Sequence, residues 1–197
     1  MHILAVLDPL VDVLYAVVRP LAEHVPAAVV VVALTLLTRL ALHPLMRRPG
    51  LLTAVAQAPV FATIYRLFTS PVVAGQQNLL LDQSLLGAPM AGHLLGVGLP
   101  GVFVLAGVLT LIAVVGWLTV LDTRAHLPEL TLPDGRSPEV AAAAARMQRV
   151  APYLSLGSVV FAALMPLAAM CYLLTSSTWS LLERRHLRGL AATAPPL

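Results

Sequence analysis

Between Asp82 and Asp122 the chain runs for 39 residues, Gln83 to Leu121, without an Asp, Glu, Lys or Arg, and a second run of 33, Val150 to Leu182, is equally free of charge. A soluble domain covers its surface with about 25% charged residues. Here only 11% of the 197 residues are charged, 59% are hydrophobic, and the mean hydropathy is +0.89. Such a chain has too little charge to clothe a water-facing surface. The solvent that suits it is a bilayer, in which a helical span needs about 20 apolar residues. The expected class is therefore an all-α membrane protein.

Pro26 opens a first span to about Leu45, and a second runs from about Leu51 to Val73, entered after Arg47-Arg48-Pro49-Gly50. A polar loop with a short interfacial piece follows from Gly75 to Leu95, carrying Gln76, Gln77, Asn78, Asp82 and Gln83. The third span covers about Val97 to Leu121. Within the next, charge-bearing segment, Pro133-Asp134-Gly135 is a turn signal, and Ser137-Pro138-Glu139 reads as an N-cap, N1 proline and first-turn acid opening an alanine-rich helix. The stretch from Val150 to Leu182 would be roughly 50 Å long as one helix, against a hydrocarbon core of about 30 Å. Pro166 near its middle removes a hydrogen bond and clashes with the preceding turn, so two short helices are expected, about Ala151–Leu164 and Pro166–Leu182, forming a tight hairpin.

Residues 1–25 lack the basic start and small-residue cleavage site of a signal peptide. Asp8, Asp12, Arg19 and Glu23 share one helical face, and Leu7, Leu10, Val11, Leu14, Val18 and Leu21 share the other. That pattern predicts an amphipathic helix lying in the membrane interface; a helix packed on a soluble domain is the alternative. The chain divides accordingly into an interfacial helix (1–25), a five-helix core (26–188) and a short C-terminal tail (189–197).

Charge orients the five spans. With the N-terminus outside and the C-terminus in the cytoplasm, Arg47, Arg48, Arg124, Arg136, Arg146, Arg149, Arg184, Arg185 and Arg188 fall inside and Arg19 alone outside, with Arg39 and Arg66 within spans. A four-span arrangement would expel the three C-terminal arginines. All twelve basic residues are arginine, a bias that a GC-rich genome explains. They are scattered rather than gathered on one face with stacking aromatics, so nucleic acid is excluded as a partner. The single cysteine, Cys171, rules out a disulfide framework or a cysteine-built metal site and is expected to pack as a small apolar residue. No His-Glu-x-x-His, Gly-x-Ser-x-Gly or phosphate-cradling glycine loop occurs, so no catalytic residues, metal or cofactor are expected, and the protein is not read as an enzyme.

Arg39 is the most informative position. It lies eight residues, roughly 12 Å, from the Arg47-Arg48 end of its helix, and an arginine at mid-span costs about 2.5–3.5 kcal/mol on insertion scales. Snorkelling toward the headgroups or a structural pair with a carboxylate would offset that cost, although no other proposed span holds an Asp or Glu; a water-filled cavity is the third way. Arg66 sits only about six residues from the outer end of its span, so its side chain can reach the interface, and His43 and His93 read as interfacial. Depth arithmetic brings Gln57, Thr175 and Ser176 to the level of Arg39. Thr35 and Thr38 are a turn or less away, and Tyr172, Thr175, Ser176 and Trp179 follow the i, i+3, i+4, i+7 pattern of one helical face. Such hydroxyls commonly bond their own backbone or join helices. Five of them in Thr175-Ser176-Ser177-Thr178-Trp179-Ser180 point instead to a polar, half-wet groove in the inner half of the membrane.

These residues resemble those of a known family. Leu34-Thr35-Leu36-Leu37-Thr38-Arg39-Leu40 through His43-Pro44-Leu45 is similar to the first core helix of YidC-type membrane protein insertases, whose groove arginine aligns with Arg39. Gln57-Ala58-Pro59-Val60-Phe61 with Tyr65-Arg66-Leu67-Phe68 resembles the second. Pro152-Tyr153-Leu154-Ser155, Pro166-Leu167-Ala168, Tyr172-Leu173-Leu174-Thr175 and Thr178-Trp179-Ser180 resemble the last two. The resemblance implies a multi-pass protein of the bacterial plasma membrane, an insertase or chaperone whose partners are nascent membrane proteins, the lipid bilayer and the protein translocation channel. The chain departs from the family where Met46-Arg47-Arg48-Pro49-Gly50 replaces the usual long cytoplasmic hairpin, and its basic tail is short, which argues against ribosome contact. A small-solute or ion transport subunit, or a structural partner in a membrane complex, are the alternative readings of the same residues.

Overall fold

The computed structural model describes residues 7–46, 51–127 and 138–193. The Arg47–Gly50 junction, the Pro133–Gly135 turn, the Ser137 cap and the last four residues of the tail lie outside them. The described chain is mostly helical. In order it runs through α1 (Asp8–Ala22), α2 (Ala27–Met46), α3 (Leu51–Leu67), strands β1 (Val72–Val73) and β2 (Gln76–Gln77), the single turn α4 (Leu79–Asp82), strands β3 (Ser84–Leu85) and β4 (Ala88–Pro89), α5 (Gly101–Ala125), α6 (Pro138–Val150), a 3-10 stretch (Ala151–Leu156), α7 (Gly157–Ala163) and α8 (Leu167–Thr193).

Residues 71–97, of which Gly75 to Leu95 were expected as a polar loop, form a cap built from two hairpins. β1 pairs antiparallel with β2, and β3 with β4. Each connection places two residues at positive φ, Ala74 (52°) with Gly75 (72°) and Leu86 (52°) with Gly87 (85°), the backbone that a two-residue hairpin turn requires. The polar side chains of this cap close helix ends. Gln83 accepts from the Ala27 N–H at the start of α2 and donates to the Ala22 carbonyl at the end of α1. Fully buried Asn78 donates to the carbonyls of Leu67 and Ser70 and accepts from the Leu80 N–H. Helix ends leave just such backbone groups without intrahelical partners. Because Asn78 satisfies carbonyls at the end of α3, that helix stops at Leu67, short of the Val73 expected from hydropathy.

The cap also fixes the directions of the helices. α2, α5 and α8 all start at it: Ala27 is bonded to Gln83, a Cβ at Gly101 would lie 3.8 Å from the Ala88 backbone, and the first N–H groups of α8, Leu167 and Ala168, donate to Gly92 and Met90 carbonyls. α3 runs toward the cap. So does the 3-10 stretch with α7, since Ser155 donates to the Gly116 carbonyl deep along α5 before the chain turns at Pro166. The break at Pro166 matches the expected hairpin, but α8 continues through Arg188 to Thr193 rather than ending near Leu182.

Five apolar crossings were expected, and the described helices support that count only in part. Among the described residues one helix, Gly101–Ala125, is long and apolar enough to cross a membrane, and Ala27–His43 is a shorter apolar helix. α3 is cut at Leu67, α7 spans only seven residues, and the second half of α8 carries charge.

The core lies toward the cap. Val30 and Val31 of α2, Ile64 and Leu67 of α3 with adjoining Phe68, Leu80 and Met90 of the cap, Leu105 of α5, and Leu167 to Met170 of α8 are buried together. α1 joins them through Val11, Tyr15, Val18 and Ala22, the face one residue round from the apolar face read from sequence. It is therefore a packed helix, and the cap is what receives it: the Tyr15 hydroxyl donates to the Gln77 carbonyl and accepts from the Leu79 N–H, and Asp12 accepts from the Ala74 N–H. Leu10, Val13, Val17 and Leu21 remain exposed as an outward apolar strip. Cys171 is free and buried in the core, as expected of a small apolar residue.

Candidate functional site

α2 and α8 run side by side in the same direction from the cap, so residues equally far along them meet. Arg39 and Ser176 are such a pair: Arg39 Nη2 donates to Ser176 Oγ across the seam. The guanidinium carbon lies 4.8 Å from the centroid of the Phe61 ring on α3, a cation–π geometry worth about 0.5–2 kcal/mol depending on desolvation. Tyr172, one turn nearer the cap, stands beside Ser176 and close enough to Arg39 to interact with its charge. Its ring meets that of Phe68 at 5.9 Å, tilted by 51°. Arg39 is thus half-buried between α2, α3 and α8, held by one neutral hydroxyl and one ring face.

The remaining predicted residues divide. Thr35 is buried and donates to the Val31 carbonyl of its own helix at 2.6 Å, and Thr38 donates to Leu34 at 2.8 Å. Thr175, Thr178 and Ser180 donate in the same way to Cys171, Leu174 and Ser176. The run of hydroxyls from which a half-wet groove was expected therefore directs these protons into its own backbone, and Ser176 is the one that receives Arg39. Trp179, on the same face, buries its indole Nε1 without a hydrogen-bond partner, and Arg39 Nε is likewise buried and unpartnered. Gln57 belongs to α3 but lies outside the residues whose side chains are described.

Two donors without acceptors are unusual, because burying an unpaired polar group costs about 1–3 kcal/mol. Beyond Arg39, away from the cap, a cleft of about 310 Å³ opens between the two helices, lined by Leu40 and His43 of α2 and Trp179, Leu182, Glu183 and His186 of α8. His43 Nδ1 and Glu183 Oε1 are in hydrogen-bonding contact there. His43 was expected at the interface, and Glu183 falls just past the expected end of the last span at Leu182. The signal was nonetheless present: His43 lies four residues past Arg39 and Glu183 seven past Ser176, so in parallel helices both project toward the same end of the seam.

Two further clusters meet only in the fold. Arg66, expected to reach the outer interface alone, pairs with Asp8 of α1. At the other end of the molecule, the buried Asp122 carboxylate of α5 receives Arg185 at 3.2 Å and Arg188, both from α8. Among the described residues no group of three His, Cys, Asp or Glu side chains could hold a metal ion. The geometry of the α2–α8 seam suits recognition of an acceptor by fixed donors. Comparison with family models, curated proteins and solved structures gives no match to this chain.

Proposed function

We propose that the protein is a multi-pass protein of the bacterial plasma membrane that acts as a YidC-type insertase or membrane chaperone, with the cap outside and the Arg39 seam opening toward the cytoplasm. The observation that carries this reading is the half-buried Arg39 guanidinium between α2, α3 and α8, with an unpartnered Nε and a cleft on its inner side. In this reading, the five crossings are α2, α3, α5, the 3-10 stretch with α7, and α8, the short ones lying in a locally thinned bilayer. Apolar side chains exposed along α2, α5 and α7, among them Leu37, Phe103 and Val160, face acyl chains.

An incoming membrane protein places an acidic or polar N-terminal segment at Arg39 while its apolar segment slides along α5 and α8 into lipid. A carboxylate about 5 Å from the guanidinium gains about 3 kcal/mol at an effective dielectric of 20, against about 1.5–3 kcal/mol for the hydrogen bond that the charged guanidinium gives to Ser176, so the exchange is favourable by a small margin. The gain also offsets part of the several kcal/mol that each polar group costs on entering hydrocarbon. Transport of a solute is the less supported reading, because on the cap side of the seam Val31, Phe68 and Met170 are buried in the core and leave the site closed to that side.

The test is insertion of a single-span client with an acidic tail into proteoliposomes. Arg39→Ala is expected to reduce it by ten- to a hundredfold and Arg39→Lys to retain most of it. Equal insertion by the wild type and Arg39→Ala refutes the electrostatic role, and solute flux without insertion favours transport.

A further inference from the structure

Arg39 does not carry the only charge at the seam. Glu183 projects from α8 toward the same side, its side chain only 8% exposed, in contact with His43, which stands one turn along α2 from Arg39. Trp179, four residues earlier on α8, lines the same cleft as Glu183 and His43 and buries its indole N–H without a partner. A site built only to attract acids would not hold a carboxylate this close to its cation, since two like charges in a poorly screened space repel. Resting on the insertase reading above, we infer that Glu183 is the residue that sets charge selectivity: it serves as a resident counter-ion that an incoming client carboxylate must outcompete at Arg39, with His43 drawing it aside.

The arrangement has a definite logic. While Glu183 stays with His43, Arg39 is open to a client acid. When Glu183 turns to Arg39, an acidic tail meets repulsion and a neutral or basic tail is tolerated. Specificity of this kind comes from the repulsive element as much as from the attractive one. Removing the counter-ion, Glu183, or the residue that draws it aside, His43, gives two substitutions with opposite expected signs.

The experiment uses the full chain in lipid nanodiscs, with Trp117→Phe in the exposed α5 position so that Trp179 is the only indole. Its emission then reports synthetic single-span peptides bearing tails of charge −2, 0 and +1. Glu183→Gln is expected to tighten binding of the −2 tail about tenfold relative to the neutral tail and to weaken the +1 tail. His43→Gln frees Glu183 toward Arg39 and should lower the preference for the acidic tail severalfold. A change of equal size for all three tails in Glu183→Gln, or a shift of the same sign in both variants, overturns the proposal, because a merely structural pair has no reason to sort tails by charge. A wild type that binds none of the peptides overturns the insertase reading itself, independently of Glu183.

Discussion

Replacing Asp122 should cost less than removing the two arginines that bind it, although the same contacts are lost either way. The Asp122 side chain is 6% exposed, whereas those of Arg185 and Arg188 are 49% and 34% exposed. In Asp122→Asn the shape is kept, one weaker acceptor remains, and both guanidiniums turn back to water, so the loss is that of partly exposed ion pairs, about 1 kcal/mol. In Arg185→Ala/Arg188→Ala the carboxylate loses both cations, together with the cover that their stems give it. A charge left fully buried and uncompensated costs about 3–5 kcal/mol; water entering where the stems stood lowers that and protonation caps it at about 4 kcal/mol at pH 7, so a loss of about 2–4 kcal/mol is expected. Adding Asp122→Asn to the double variant should then restore about 2–3 kcal/mol, a coupling of the kind that contacting groups show. The assay is reversible unfolding of the purified protein in mixed micelles, read as the shift in the denaturing-detergent midpoint. If Asp122→Asn proves more damaging than the double arginine variant, or if the triple variant is no more stable than the double, the burial argument is refuted.

Other expectations follow from the same geometry. Asn78→Ala removes three hydrogen bonds at a fully buried side chain and should destabilise by about 2–4 kcal/mol; Asn78→Asp should be worse, since a carboxylate would face the Leu67 and Ser70 carbonyls, and thermal unfolding ranks the two. Gly92→Ala would bring a Cβ to 2.5 Å from Val97 Cγ1 and 2.9 Å from the Pro89 carbonyl, loosening the cap, whereas Gly107→Ala in α5 meets nothing within 4 Å and should stabilise by up to about 1 kcal/mol through helix propensity; the sign of the midpoint shift separates them. Thr175→Val deletes a hydroxyl bonded to its own helix and should alter stability and client insertion by less than twofold, so a large loss of insertion would show that this hydroxyl meets the client.

The helices that make up the fold were largely legible in the residues, and the arrangement of the site was not. Pro26, Pro138 and Pro166 mark boundaries because a proline acts on its own turn, and the start of α6 and the break before α8 fall where local chemistry puts them. The level of Arg39 with Ser176 could likewise be counted, because rise per residue is fixed. The hairpins of the cap were missed because their turns begin with Ala74 and Leu86, not with the Asn or Asp that announces such turns.

Apolar character, the chain breaks at proline and the level of Arg39 with Ser176 were thus determined by the sequence alone, since each depends on neighbours within a turn or two. Tertiary structure decided which hydroxyl turns outward, as Ser176 does while Thr175 bonds Cys171. It decided too that α1 docks on the cap, and that charges up to 140 residues apart meet, His43 with Glu183 and Asp122 with Arg188. The physical reason is that a local pattern fixes the height of a side chain along its helix, whereas its partner depends on which helices lie adjacent and how each is rotated, and only the packing of the whole chain sets that.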